Sequence, residues 1–205
     1  MIKRIFFTFL ILFSVSCVKF IATGSEVVSK TSRLNREIVQ VKNDLNVEKQ
    51  LKKNIIKNKT YFLKQQGLKN FGRYYINVLE GRVLLSGIVY KQEVKDYIME
   101  KIRENLEVRE ILDELKVGNV VYSNIYDFLL KRTIITKIFF KSNIKSLNYE
   151  ISVVNGYVYI MGIAEDEEEA KLIAKIISTV SGVKEVNSYI ITVNSDKKLK
   201  INFTN

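Results

Sequence analysis

Few residues in this 205-residue chain could carry covalent chemistry: it has no histidine and a single cysteine, Cys17. A nucleophile with a histidine base cannot be assembled from it, nor can a histidine or cysteine zinc site. The densest run of carboxylates, Glu165 to Glu169, reads as the start of a helix: Asp166 can cap it with Glu169 three residues on, where the helix dipole favours negative charge. As a metal site the run lacks a second liganding segment at recognisable spacing. No catalytic residue, metal ligand or cofactor is therefore assigned, which leaves the non-covalent chemistry of a surface. Asp127 to Lys141 is the stretch that could supply it. At 100° per residue Leu130, Ile134 and Ile138 share one face, enough to pack a helix on a sheet. Phe128, Ile135 and Phe139 form a second stripe, with Arg132 beside it and Lys131 between the two; Leu129 and Phe140 add apolar surface on a third side. A second apolar stripe edged by cations is the pattern of a helix lying at a membrane interface. The other reading is that this face packs against the preceding part of the chain.

A duplicated scaffold positions this helix. Glu80-Gly81-Arg-Val-Leu-Leu-Ser-Gly87 returns as Asn155-Gly156-Tyr-Val-Tyr-Ile-Met-Gly162, and the offset of 75 residues holds through Ile76/Ile151, Val83/Val158, Ile98/Ile173, Ile102/Ile177 and Val108/Val183. A fixed offset sustained over roughly forty residues marks an internal repeat. Asn155-Gly156 between two apolar runs is the pair that a two-residue type I′ hairpin requires, and Glu80-Gly81 is compatible with the same turn. Gly81, Gly87, Gly156 and Gly162 are the structural glycines of the two hairpins. Gly162 interrupts an apolar strand, which signals a bulge or a close approach. Ala170, Ile173, Ala174, Ile177 and Val180 then recur at helical spacing before a closing strand from Val186 to Val193; in the first copy Val94, Ile98, Ile102 and Leu106 do so. The leading helix of the first copy has a ragged stripe, Leu51, Ile55, Phe62 and Leu63. The fold class is α+β: two tandem αββαβ units, each a three-stranded sheet against two helices. Units this small sit near the lower limit for an independent core, so the two should lean on each other.

The N-terminus has the form of an export signal: Lys3 and Arg4, an apolar core from Ile5 to Phe13, then small residues up to Cys17. Ser14 to Cys17 resembles the lipobox of bacterial lipoproteins, in which the cysteine becomes the acylated first residue, although Ser14 stands where that pattern has an apolar residue. Ordinary signal cleavage, at Ser14/Ser16 or at Ala22/Gly24, is a second possibility. An uncleaved anchor is disfavoured because Lys19 interrupts an apolar run shorter than the ~20 residues that span a bilayer. The net charge of +11 is concentrated between Val18 and Tyr75, with 13 Lys and Arg against 4 Asp and Glu. Such a tether could lie on anionic headgroups or be merely solvated. Nucleic acid is an unsuitable partner, because the chain carries an export signal and these cations are not interleaved with stacking aromatics.

Thr133-Ile-Ile-Thr-Lys137, Asn143-Ile-Lys-Ser146, Asn155 to Gly162 and Ser181-Gly-Val-Lys-Glu-Val186 resemble the motifs of BON (bacterial OsmY and nodulation) domains, specifically those of dual-BON periplasmic lipoproteins. The resemblance implies five segments: a signal peptide (1–17), a basic tether (18–45), a first BON domain (46–118), a second (125–195) and a basic tail (196–205). It implies a non-enzymatic envelope protein held at the outer membrane by a lipid on Cys17, binding anionic phospholipid through Phe128, Lys131, Arg132, Ile135 and Phe139. Its role would be to support envelope integrity, with other envelope proteins as further partners and no small-molecule substrate. In the lipoprotein of this family that the chain resembles, the aromatic anchor near the start of this helix is a tryptophan; the aligned residue here is Thr133. The alternative is a soluble periplasmic stress-protection scaffold that binds proteins rather than lipid.

Overall fold

The computed structural model describes residues 38–120, 124–142, 144–193 and 199–204; Cys17, the signal segment and most of the tether lie outside them. The first unit comprises α1 (Ile38–Lys57), α2 (Lys59–Gln65), β1 (Gly72–Leu79), β2 (Arg82–Val89), α3 (Gln92–Arg103) and β3 (Glu110–Val117). The second comprises α4 (Asn124–Phe139), a 3₁₀ turn (Ser146–Asn148), β4 (Tyr149–Val154), β5 (Tyr157–Ala164), α5 (Glu167–Ser178), β6 (Glu185–Thr192) and β7 (Leu199–Thr204). In each unit an antiparallel hairpin is followed by a helical crossover to a parallel strand, and the register repeats: Arg82 pairs with Glu110 as Tyr157 pairs with Glu185, 75 residues on. The two-unit α+β architecture is thus the one the repeat implied.

Several details differ from the sequence reading. Residues 199–204, within the expected basic tail, form β7, which runs antiparallel to β6 as a fourth strand. Helix α1 already includes Ile38, inside the expected tether, and ends at Lys57 before the separate short helix α2. There Phe62 stacks on Tyr97 with ring centroids 4.4 Å apart. Helix α3 stops at Arg103, so Leu106 falls beyond it and stands fully exposed. Gly81 and Gly156 occupy turns, but Gly87 and Gly162 lie within β2 and β5, not at turns. Gly162 is paired with Tyr149, and a Cβ there would collide with the Tyr149 ring and the Asn148 carbonyl. Close approach, not a bulge, is its reason.

Both hairpin turns are type I′, with positive φ at Glu80 (53°) and Gly81 (73°) and at Asn155 (52°) and Gly156 (81°). Asp166 caps α5 by accepting the Glu169 N–H at 2.8 Å, and the buried Glu169 carboxylate accepts the N–H groups of Glu165 (2.7 Å) and Lys145 (3.0 Å). The acidic run is therefore a helix start whose key member also ties down the loop before β4.

Each unit buries its own core between helices and one sheet face. In the first, Val47, Leu51, Ile55, Val94, Ile98 and Ile102 meet Ile76, Val83 and Leu85. In the second, Leu130, Ile134, Ile138, Ile173 and Ile177 meet Ile151, Val158 and Ile160. The opposite sheet faces pack on each other through Leu79 and Leu84 against Tyr159, Met161, Ile163 and Tyr189. This double coverage explains why β2 and β5 read as near-continuous apolar runs: their residues are buried on both faces. Across the interface Ser152 Oγ donates to Asn77 Oδ1 at 3.0 Å, and Tyr189 Oη donates to Glu114 Oε1. Each of these pairs is separated by 75 residues, so equivalent residues meet their own counterparts, as near a two-fold axis between repeated units.

Two stability outcomes follow from these contacts. Glu80→Asn relieves a bulky side chain at positive φ and should raise stability by ~0.5–1 kcal/mol in urea denaturation. Tyr159 is buried at the interface, and its hydroxyl has no hydrogen-bond partner among the described residues. Tyr159→Phe should accordingly be neutral or stabilising by ~1 kcal/mol, whereas Tyr159→Ala should cost ~3–5 kcal/mol by opening a cavity.

Candidate lipid-facing site

Helix α4 is held in place by one carboxylate. Asp127 is 3% exposed and accepts the backbone N–H groups of Asn155 (2.9 Å) and Gly156 (3.2 Å), so the helix start is pinned to the hairpin turn. The same carboxylate pairs with Arg73 Nη1 of β1, joining the second unit's helix to the first unit's sheet. Asp44 on α1 repeats the turn contact with Glu80 N–H (3.0 Å) and Gly81 N–H (3.4 Å). Neither aspartate is evident as a site in the sequence. The signal that could have revealed them is the shared spacing Asp44, Val47, Leu51, Ile55 and Asp127, Leu130, Ile134, Ile138. It was hidden because α2 lengthens the first unit, shifting the helices from the offset that relates the strands.

The buried face of α4 is the expected one: Leu130, Ile134 and Ile138 are all buried. The second stripe is not covered. Phe128 is 57% exposed, Ile135 38% and Phe139 58%, and Leu129 and Phe140 are also exposed on the third side. The stripe faces the first unit across an open cleft of about 530 Å³ lined by Arg73, Tyr75, Ile125, Phe128, Lys131, Arg132, Ile135 and Val153, among others. The alternative in which this face is buried against the first unit is not what the structure shows. Four of the five candidate residues, Phe128, Lys131, Arg132 and Ile135, come together at this cleft. Phe139 lies farther along the helix, its ring edge-on to Phe140 at 5.7 Å. The Arg132 guanidinium sits 5.6 Å from the Phe128 ring centroid, a cation–π contact. Thr133 is exposed, and its hydroxyl donates to the Leu129 carbonyl at 3.1 Å. Burial raises the Tyr75 phenol above its usual pKa, the Asp127 charge adding to the effect and Arg73 opposing it. The phenol is thus neutral at physiological pH and able to donate. No helix among the described residues is long and apolar enough to cross a membrane.

Aligning the two leading helices by their aspartates separates packing from surface. The buried positions match, but the outer flank carries Leu45, Glu48, Lys49 and Lys52 on α1 where α4 has Phe128, Lys131, Arg132 and Ile135. Ile56, itself exposed, stands where α4 has Phe139, so apolar residues recur on this flank, and what distinguishes α4 is its aromatic rings, Ile135 in place of Lys52 and Lys131 in place of Glu48.

This module, a leading helix pinned to a hairpin with a crossover helix and a closing parallel strand, matches the BON domain over residues 127–194, from the pinning aspartate to just beyond β6. The chain belongs to the same family as the uncharacterized protein in the gshII 5′ region of Anaplasma centrale, to which it is 34% identical over 136 residues, 65% of this chain and 87% of that one. It is also 30% identical over 125 residues to the outer membrane lipoprotein DolP of Haemophilus influenzae, a match spanning 60% of this chain and 64% of the lipoprotein. Among solved structures, CdsD, a structural protein of the type III secretion system of Chlamydia trachomatis, overlaps 70% of this chain and 94% of its own. With 10% identity and a TM-score of 0.31, that overlap carries no argument.

Removing the Asp127 carboxylate takes away the acceptor that pins two turn N–H groups and an ion-pair partner of Arg73. Asp127→Ala should cost ~3–5 kcal/mol in urea denaturation, and adding Arg73→Leu should recover part of the loss, because the cation that faced the lost carboxylate is removed with it.

Proposed function

We propose that the chain is a non-enzymatic periplasmic lipoprotein with two BON domains, anchored to the outer membrane through an acylated Cys17. In this reading α4 binds anionic phospholipid and the protein supports envelope integrity. The BON domain at residues 127–194 and the similarity to the DolP lipoprotein support the envelope assignment. The first unit's claim to be a second BON domain rests on its shared topology and register. The observation that carries the lipid reading is the divergence of the two leading helices. They have the same buried face, yet only α4 carries aromatic side chains on its outer flank, Phe128 and Phe139 where α1 has Leu45 and Ile56, and only α4 has a cation, Lys131, where α1 has Glu48.

The energetics suit reversible attachment. Each large apolar side chain moved out of water contributes ~1.5–3 kcal/mol when fully buried. Lys131 and Arg132 add about 1 kcal/mol each near an anionic surface, an increment that salt weakens. An N-terminal acyl group would supply the permanent anchor, leaving α4 to select the surface.

The test is cosedimentation of the chain from Ser25 onward with anionic and neutral vesicles, alongside a folded Phe128→Glu, Ile135→Glu variant. The expected result is binding to anionic vesicles that declines with salt and is lost in the variant. A folded parent that ignores anionic vesicles would sink the lipid reading and leave a scaffold whose partner is a protein. Mass spectrometry of the mature N-terminus, expected to show an acylated Cys17, tests the anchor separately.

A further inference from the structure

The exposed stripe of α4 looks onto the first unit, and the wall it faces is not inert. Tyr75 and Arg73, from β1, stand across the cleft from Phe128, Arg132 and Ile135 of α4, with Val153 of β4 also lining it. We infer that this inter-unit cleft seats the headgroup of a single anionic phospholipid, with Tyr75 of the first unit as a direct contact. This inference rests on the reading of α4 as the lipid-binding helix, and deepens it by making recognition a property of both units.

Size, charge and polarity agree on that occupant. About 530 Å³ falls within the usual range of ligand sites. Arg73 is taken up by its ion pair with Asp127, and Lys131 and Arg132 leave the lining net positive, so an anion is complementary. Ile125, Phe128, Ile135 and Val153 supply apolar wall that a free phosphate would leave wet but the glycerol and first methylenes of a lipid would cover. The phenol of Tyr75, kept neutral, is a donor suited to a phosphate oxygen.

The pseudo-two-fold supplies an internal control. At the equivalent positions of the other half, α1 carries Glu48 where α4 has Lys131, and β4 carries Glu150 where β1 has Tyr75. With Lys49 and Lys52 set against Glu48 and Glu150 those positions carry no net charge, whereas Lys131 and Arg132 make the α4 side net positive.

The experiment uses the full chain with phosphatidylglycerol vesicles and the Tyr75→Glu variant, together with spin-labelled phosphatidylglycerol and NMR of the parent. Tyr75→Glu is expected to weaken vesicle binding about tenfold or more, and the label is expected to broaden the Tyr75 and Val153 signals as strongly as those of Phe128. Should Tyr75→Glu fail to fold, broadening in the parent decides alone. Parent-like binding by a folded Tyr75→Glu, or broadening confined to α4, would overturn the composite site while leaving α4 as the lipid reader. If glycerol phosphate alone produces the same shifts at the same saturation, the occupant is a soluble anion and the lipid is overturned. A parent that binds no anionic vesicle removes both the cleft and the function it rests on.

Discussion

The buried carboxylate of Asp127 is the contact on which the working surface depends. It satisfies two N–H groups of a tight turn, fixes the start of α4 against its own hairpin, and meets Arg73 of the other unit. A buried charge is tolerated only when its acceptor sites are used, and here three donors use them. The direction of α4, and hence the side on which its aromatic stripe emerges, follows from that geometry. Asp44 performs the same local task in the first unit. The cross-unit partner on Asp127 is what sets the wall of the cleft at a defined distance from the helix.

Duplication set the frame and divergence gave each half a different edge. The second sheet is extended by β7 beside β6, and α5 lies over it. The first sheet ends at β3, and a bare strand edge invites pairing with another chain. Lys95 and Asp113 guard it: Lys95 Nζ donates to the Leu115 carbonyl at 2.7 Å, and Asp113 Oδ1 accepts the Leu115 N–H at 3.1 Å. The corresponding residues in the second unit are Ala170 and Ser188, both buried. A charged pair thus does for one edge what a fourth strand does for the other.

The parts of the fold legible in advance were those governed by local chemistry. Asn155-Gly156 could make only a narrow set of turns, Asp166 and Glu169 had the spacing of a helix start, and Leu130, Ile134 and Ile138 had the period of a buried face. Errors arose where local pattern runs on without a stop. Leu106 continues the spacing of α3 but lies beyond its end, whereas residues 199–204, expected as part of a basic tail, carry the strand alternation Leu199, Ile201, Phe203 and pair with β6. Gly162 was recognisable as unusual, but the ring of Tyr149 that crowds it became visible only with the strand register.

The sequence by itself determined that there are two copies of one αββαβ unit, that a histidine base and a histidine or cysteine zinc site cannot be built, and that α4 carries one apolar stripe more than packing needs. Those properties are written in periodicity, composition and a constant offset, which require no knowledge of distant contacts. The tertiary structure alone decided that the sheets pack back to back about a pseudo-two-fold, that Asp127 meets Arg73, and that the surplus stripe stands open across a cleft. Contacts between residues 54 or 75 positions apart depend on how two already folded surfaces dock. Docking is settled by the shape and charge of whole faces, and no short run of residues records it.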